Sequence, residues 1–247
     1  MDDDLHALRR QYQELLDRLQ RNEREFRRLG RAVWRVQEDE RRRLARDLHD
    51  GVGQNLTALK HRLVQLAAAL PAGEAMLRDG VDQAIALCAD TLEDTRSMSR
   101  LLRPPILDDL GLEAALRWMA RSQSESSAAE VTLEMDALPP IDTDVQTLIF
   151  RVAQEALTNA AKHADARHVM VRMVARGGLL QLQVVDDGRG CDAGAVLQAG
   201  GSGLGGMRER LRLYDGRLEL HSTPGQGTRL RAVIPLDAPA EKPGAAA

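Results

Sequence analysis

Gln154-Glu-Ala-Leu-Thr-Asn-Ala-Ala-Lys-His163 is an apolar helix pattern that carries a polar stripe. Val145, Leu148, Ile149, Val152, Ala153, Ala156, Leu157 and Ala160 recur at helical spacing across residues 142–163. Glu155, Asn159, Lys162 and His163 stand about one turn apart on the same helix. Carboxylate and amide oxygens are hard donors suited to Mg²⁺, and Lys and His meet phosphate oxygens. Lys162 stands out for another reason: of 34 basic residues, all but Lys60, Lys162 and Lys242 are arginine. A compact ammonium acts on phosphate as a point charge where a planar guanidinium does not fit.

Working outward, two strand patterns follow, His168–Val174 and Leu179–Val185, split by Gly177-Gly178. The second runs into Val184-Val-Asp-Asp-Gly-Arg-Gly190. A carboxylate followed by glycines suits a site that grips a ring amine while backbone lies close to the ligand. Next comes Gly200-Gly-Ser-Gly-Leu-Gly-Gly-Met207 ahead of a helix over 207–214, an arrangement that cradles phosphate. Gly201, Gly203 and Gly206 also match the dinucleotide fingerprint, but no βαβ unit surrounds them and no acidic residue follows at the required distance. Strands near Arg217–His221 and Thr228–Ile234 close the region. Upstream lie a helix from Leu107 to about Ser122, with Asp108 or Asp109 as cap, and a strand at Val131–Met135. This order predicts an α/β sandwich, one sheet under a layer of helices.

The first hundred residues read differently. Leu5, Tyr12, Leu19, Phe26 and Val33 stand seven apart, and Leu8, Leu15, Asn22, Leu29 and Val36 fill a second seam position. That heptad argues for a coiled coil over 1–36, with Asn22 as a register-fixing polar residue. A long surface helix packing on its own domain is the alternative. The seam stops at 37–43, and the apolar stripe resumes in another phase from Ala45 to Leu70. Pro71-Ala-Gly73 breaks it, and a further stripe from Val81 to Leu102 makes an αα-hairpin, ended by Arg103-Pro104-Pro105. Stripes this long cannot be buried by one hairpin, so two copies pairing into a four-helix bundle is expected.

Inside that hairpin sits Arg46-Asp-Leu-His-Asp-Gly-Val-Gly-Gln54. Two glycines in a helix each cost about 1 kcal/mol relative to alanine, so Gly51 and Gly53 keep the helix surface bare. On a helical wheel His49 falls at the edge of the packed stripe, with Asp50 and Gln54 on the opposite side, one turn apart. Such a histidine is a nucleophile if a carboxylate holds one ring nitrogen protonated and leaves the other free. A solvated helix face with an incidental histidine is the plain alternative. His61 and His168 read as ordinary surface histidines.

Composition narrows the classes. A net charge of −3 lacks the basic face of a nucleic-acid binder, and six aromatic residues are too few for a base-stacking platform. Cys88 and Cys191 make neither a disulfide framework nor a tetrahedral zinc site. No stretch approaches the ~18 consecutive apolar residues of a membrane span. Cytoplasmic localisation is therefore expected.

Together and in order, these stretches resemble bacterial two-component sensor histidine kinases of the NarX/DesK-like subfamily over about residues 37–236. Glu40 to Gln54 looks like the phosphoacceptor box, Leu102 to Leu112 the linker, and Gln154–His163 the N box. Asp186-x-Gly188-x-Gly190 and Gly203–Arg210 resemble the two glycine boxes, and Gly225-Gln-Gly-Thr228 the closing Gly-Thr. The resemblance implies a dimerising hairpin at 37–105, a GHKL-type ATP-binding α/β sandwich at 106–236 (106–126 a linker helix) and a disordered tail at 237–247. It implies that His49 accepts the γ-phosphoryl group of ATP, Asp50 acts as base and Gln54 positions a water that dephosphorylates the partner. Asn159 would ligate Mg²⁺ and Glu155 orient its shell, Lys162 and His163 would contact phosphates, and Asp186 would bind adenine. Gly188 through Gly206, with Gly190 and Gly203 among them, would form a mobile ATP lid, and Thr228 would also bind ATP. The implied partners are a second copy of the chain and a response regulator with a helix-turn-helix output domain, with no direct contact to nucleic acid. A degenerate, nucleotide-binding dimeric scaffold is the alternative from another class.

Overall fold

A computed structural model describes residues 2–71, 74–198 and 202–236. The end of the expected hairpin break (Ala72, Gly73), Gly200, Gly201 and the tail at 237–247 lie outside the described residues. The chain divides into two compact units, Arg35–Asp109 and Met1–Trp34 with Leu110–Ala247. Among the described residues no helix is long and apolar enough to cross a membrane.

The Arg35–Asp109 unit is the hairpin. Helix α1 (Asp2–Arg46) runs unbroken through 37–43, where the sequence predicted the change of phase. The change comes later, in a π-helical segment at Asp47–Gly53 that carries straight into α2 (Gln54–Ala69). Widening a helix to i→i+5 bonding inserts a residue per turn and rotates everything downstream. Leu70 turns extended before Pro71, and α3 (Ala75–Leu102) returns alongside α2. Cys88 Sγ meets the Leu56 carbonyl at 3.3 Å, and buried Ser99 donates to the Ala45 carbonyl at 2.9 Å. The apolar stripe is only partly covered: Leu59, Val64 and Leu66 stay about half exposed.

Arg103 closes this unit. It is 4% exposed, and its guanidinium lies 3.4 Å from Glu38 and 2.8 Å from Asp108. Arg42 reaches the same Asp108 at 2.5 Å. Burial opposes charge on Asp108, but hydrogen bonds from Arg103 and Arg42 outweigh it and hold the carboxyl below the usual range. The expected capping by Asp108 or Asp109 is therefore corrected. Helix α4 (Pro105–Asp109) precedes α5 (Gly111–Ser126), whose first turn has Leu110 as N-cap and no side-chain cap. Two arginines outcompete a backbone N–H for the Asp108 carboxylate.

In the other unit a five-stranded sheet has the order β1-β2-β3-β5-β4. The strands are β1 (Glu130–Met135), β2 (His168–Arg176), β3 (Leu179–Asp186), β4 (Arg217–Ser222) and β5 (Thr228–Pro235). Only β1 and β2 pair in parallel; every other neighbour is antiparallel. Between them come α6 (Thr143–Asn159), α7 (Ala193–Gln198) and α8 (Ser202–Leu213). Asp142 caps α6 by accepting from the Asp144 N–H at 2.8 Å. Leu148, Ile149, Val152 and Leu157 of α6 pack with Val171, Met173, Leu180, Leu182, Ala232 and Ile234 in the core, together with Met207 and Leu211. Along β3 the two-residue period buries Leu180, Leu182, Val184 and then Asp186. A carboxylate thus ends a row of core positions.

The first part of α1 belongs to this unit too. Trp34 is 5% exposed, with the Arg210 guanidinium 4.9 Å from its ring centroid. Arg31 lies 4.9 Å over the Tyr214 ring and donates to the Leu213 carbonyl at 2.5 Å. Arg27 pairs with Asp215. Residues 27–34 therefore pack on the α/β unit through a face the heptad does not use. The seam residues Phe26, Leu29, Val33 and Val36 stay exposed, Phe26 at 73%.

Candidate functional site

The polar stripe of α6 opens into a cavity of about 540 Å³. Glu155 and Asn159 come from the last turns of α6, and Asn159 Nδ2 lies 3.5 Å from Glu155 Oε1. Helix α6 widens into a π-turn at Ala160–Ala164, which carries Lys162 and His163 to the cavity wall as exposed groups. Asp165 ends it in the left-handed conformation at φ 52°.

Across the cavity, Asp186 is 9% exposed, and its Oδ1 accepts from the Gly188 N–H at 3.0 Å and the Thr228 N–H at 3.2 Å. Burial pushes the Asp186 carboxyl up, neighbouring Asp187 adds to that, and the two N–H donors oppose it. Thr228 faces Asp186 across the β3–β5 register and shares a 3.0 Å contact between its hydroxyl and that of Ser222.

Of the ten residues expected around the nucleotide, the cavity is lined by Glu155, Asn159, Lys162, His163, Asp186, Gly190, Gly203 and Thr228. Gly188 and Gly206 do not line it. The glycines of the first box also press closely on the protein's own backbone. A Cβ on Gly188 would collide with the Ala164 carbonyl, and one on Gly190 with that of Thr223. Gly190 also sits at φ +62°, which an L side chain rarely adopts. The second box is corrected: Gly203 and Gly206 lie inside α8, which begins at Ser202, rather than in a loop before it. Gly203 lies directly against the Glu155 carboxylate, so α8 approaches α6 closely there.

Sequence reasoning missed the apolar lining formed by Leu204, Leu220 and Leu230, and also Arg189 and Cys191. Leu220 and Leu230 are a cross-strand pair two residues from Thr228, so the strand period held the signal. Arg189 Nε donates to the His163 carbonyl at 2.5 Å, tying the two ends of the stripe region together. His168, read as an ordinary surface residue, has its Nδ1 2.8 Å from Asp187 Oδ2. The Arg167 and His168 N–H groups also bond Asp187, and with the ring they hold its carboxyl down at about 2.

The donor set fits Mg²⁺ in a limited way. Among the described residues no group of three or more His, Cys, Asp or Glu could hold a metal ion. Asn159 and Glu155 supply three oxygen donors at most, which suits an ion that keeps waters and takes phosphate oxygens for the rest.

The hairpin carries a second, smaller groove of about 330 Å³. His49, Gly53 and Gln54 line it with Thr57, Ala58, His61, Leu92, Thr95 and Arg96. His49 and Gln54 are thus brought to one groove, while Asp50 is not among its lining. The wheel that paired Asp50 with Gln54 assumed α-helical steps, and the π-helical segment changes them. His49, Asp50 and Gln54 are all exposed.

A helical hairpin with an exposed histidine on a π-helical turn, in one chain with an α/β sandwich that holds an acid-and-amide cavity, defines a phosphotransfer class of protein. Residues 40–107 match the family described as histidine kinase, and residues 144–238 the family of histidine kinase-, DNA gyrase B- and HSP90-like ATPases. The chain belongs to the two-component histidine kinases, of the NarX-like kind. It is 32% identical over 213 residues to the sensor histidine kinase MctS of Rhizobium johnstonii, covering 85% of this chain and 46% of that one. It is also 32% identical over 214 residues to the sensor histidine kinase ComP of Bacillus subtilis, covering 84% of this chain and 28% of that one. The chain thus spans less than half the length of these relatives. A solved histidine kinase domain from Erythrobacter litoralis is 23% identical, covers 74% of this chain and 94% of its own, and superposes with a TM-score of 0.49.

Proposed function

We propose that the chain is the core of a cytoplasmic sensor histidine kinase: it autophosphorylates on His49 with ATP and Mg²⁺ and passes the phosphoryl group to an aspartate of a response regulator. The observation that carries this is the Glu155–Asn159–Lys162–His163 stripe facing buried Asp186 across one cavity, in a chain that also exposes His49. Asp186 is set to accept a ring amine, because burial fixes its position and two N–H groups occupy only one of its oxygens. Lys162 and His163 supply positive charge at the phosphate end. Asn159 and Glu155 would hold Mg²⁺, which when bound neutralises phosphate charge. The apolar lining from Leu204, Leu220 and Leu230 excludes water from the ring.

At the hairpin, the free ring nitrogen of His49 takes the γ-phosphoryl group, and Asp50 receives the proton from the ring. Phosphoryl transfer asks mainly for positioning and charge neutralisation. The half-exposed leucines of the hairpin, and the exposed seam of α1, support pairing of two copies as a homodimer. Gln54 shares the His49 groove, which supports a further role in positioning water for dephosphorylation of the regulator, a protein with a helix-turn-helix output domain.

One assay tests both roles. Incubation with radiolabelled ATP and Mg²⁺ gives acid-labile label on the wild type and none on His49→Gln. Label that persists on His49→Gln overturns the kinase reading. In the same set, Gln54→Ala keeps its label but loses dephosphorylation of the cognate regulator; an unchanged dephosphorylation rate removes the second role.

A further inference from the structure

The groove beside His49 contains a cation that neither the sequence reading nor the family assignment gives a role. Arg96, on α3, lines it opposite the segment that bears His49. Its guanidinium pairs with Glu93 at 3.8 Å, longer than a hydrogen bond. Glu93 has a better partner: Arg100 reaches its other oxygen at 2.5 Å. Arg100 therefore takes most of the Glu93 charge, and the N–H groups of Arg96 remain available. Thr57 and Thr95, on the same groove, donate their hydroxyls to the Gly53 and Thr91 carbonyls at 2.8 Å and do not compete for an anion as donors. Leu92 and Ala58 add an apolar wall, which strengthens a charge pair formed against it, and Gln54 and His61 complete the lining.

We infer that Arg96 binds the phosphoryl group on His49, as a catalytic residue for its arrival and a stabiliser of the phosphohistidine. This rests on the reading of His49 as phosphoacceptor. In the step, the bond between the γ-phosphorus and the bridging oxygen breaks, and its electron pair leaves with ADP. A P–N bond forms to the free nitrogen of His49, and the ring proton passes to Asp50. The terminal oxygens of the phosphoryl group carry negative charge throughout, and a cation on the groove side of His49 neutralises it. A guanidinium matches two of those oxygens with parallel N–H donors. Arg96 is exposed, so its replacement leaves the fold in place.

The test uses the full chain and radiolabelled ATP with Mg²⁺, on wild type, Arg96→Gln, Arg96→Lys and Arg100→Gln. Both the initial rate and the plateau of acid-labile label are read, with the KM for ATP. Arg96→Gln is expected to lower rate and plateau by roughly tenfold or more, the worth of one strong charge-assisted contact, at unchanged KM. Arg96→Lys recovers most of the loss because the charge remains, and Arg100→Gln, which leaves Glu93 to draw on Arg96, falls by less than Arg96→Gln. An Arg96→Gln protein that labels like wild type, or falls only as far as Arg100→Gln, overturns the inference. So does a loss that appears only in KM, or one that Arg96→Lys does not relieve. Absence of label on the wild type itself overturns the kinase reading, a failure distinct from these.

Discussion

The two places where chemistry gathers are built in opposite ways. Around Asp186, every neighbour is braced: two N–H groups on one carboxylate oxygen, Gly188 and Gly190 pressed onto carbonyls, Arg189 bonded to the His163 backbone. Around His49, the backbone is wound wide, Gly51 meets nothing within 4 Å, and His49, Asp50 and Gln54 are exposed. The difference follows from what each region has to meet. A small ligand with a fixed ring is recognised by groups whose positions are fixed beforehand. A histidine that must present itself first to a nucleotide and then to another protein needs open surface on its side of the helix.

Glycine substitution sharpens the contrast, since it should damage one region and strengthen the other. Gly190→Ala forces a side chain into positive φ and against the Thr223 carbonyl. It is expected to destabilise the α/β unit by about 4 kcal/mol and to abolish nucleotide binding, measured by denaturant unfolding and by a fluorescent nucleotide. A protein that keeps wild-type stability and binding would mean that the bracing is not rigid. Arg103→Ala is next in size. It takes a partner from buried Glu38 and another from Asp108, at a cost of about 3 kcal/mol to the hairpin unit, read by the same unfolding assay, with nucleotide affinity unchanged. A fall in nucleotide affinity would show that the hairpin ion pairs influence the α/β unit. Gly51→Ala has the smallest effect and the opposite sign. Its Cβ enters open space, so the hairpin should gain up to about 1 kcal/mol in thermal or denaturant midpoint. A loss instead would show that the π-helical winding depends on that glycine.

Much of the α/β unit was legible because its elements alternate between clean periods. The strand patterns at 168–174, 179–185, 217–221 and 228–234 grew by one or two residues at most, and Asp142 took the helix start. The cavity was legible as a stripe on α6, since residues one turn apart share a face whatever the tertiary fold. What pairs across from that stripe was harder. Thr228 and Asp186 stand 42 residues apart, and only the β3–β5 register joins them. The hairpin was legible as two stripes and a break, yet its π-helical segment was not. Widening by one residue per turn leaves no signature in residue types beyond the glycines, which a plain helix tolerates too. The face at 27–34 was hidden for a different reason: Arg27 and Arg31 lie off the apolar seam, and two arginines held by Asp215, a carbonyl and an aromatic ring are recognised only once those partners are in place.

By itself, the sequence determined which residues share a helix face or a strand face, because those periods are properties of the local backbone. From them came the hairpin, the sandwich, and the grouping of Glu155, Asn159, Lys162 and His163. Tertiary structure alone decided that Gly188 and Gly190 serve backbone packing, that Asp108 joins Arg42 and Arg103 instead of capping a helix, and that Arg96 shares a groove with His49. Each of those depends on a neighbour distant in sequence. A local period cannot encode such a neighbour, and burial turns its position into energy.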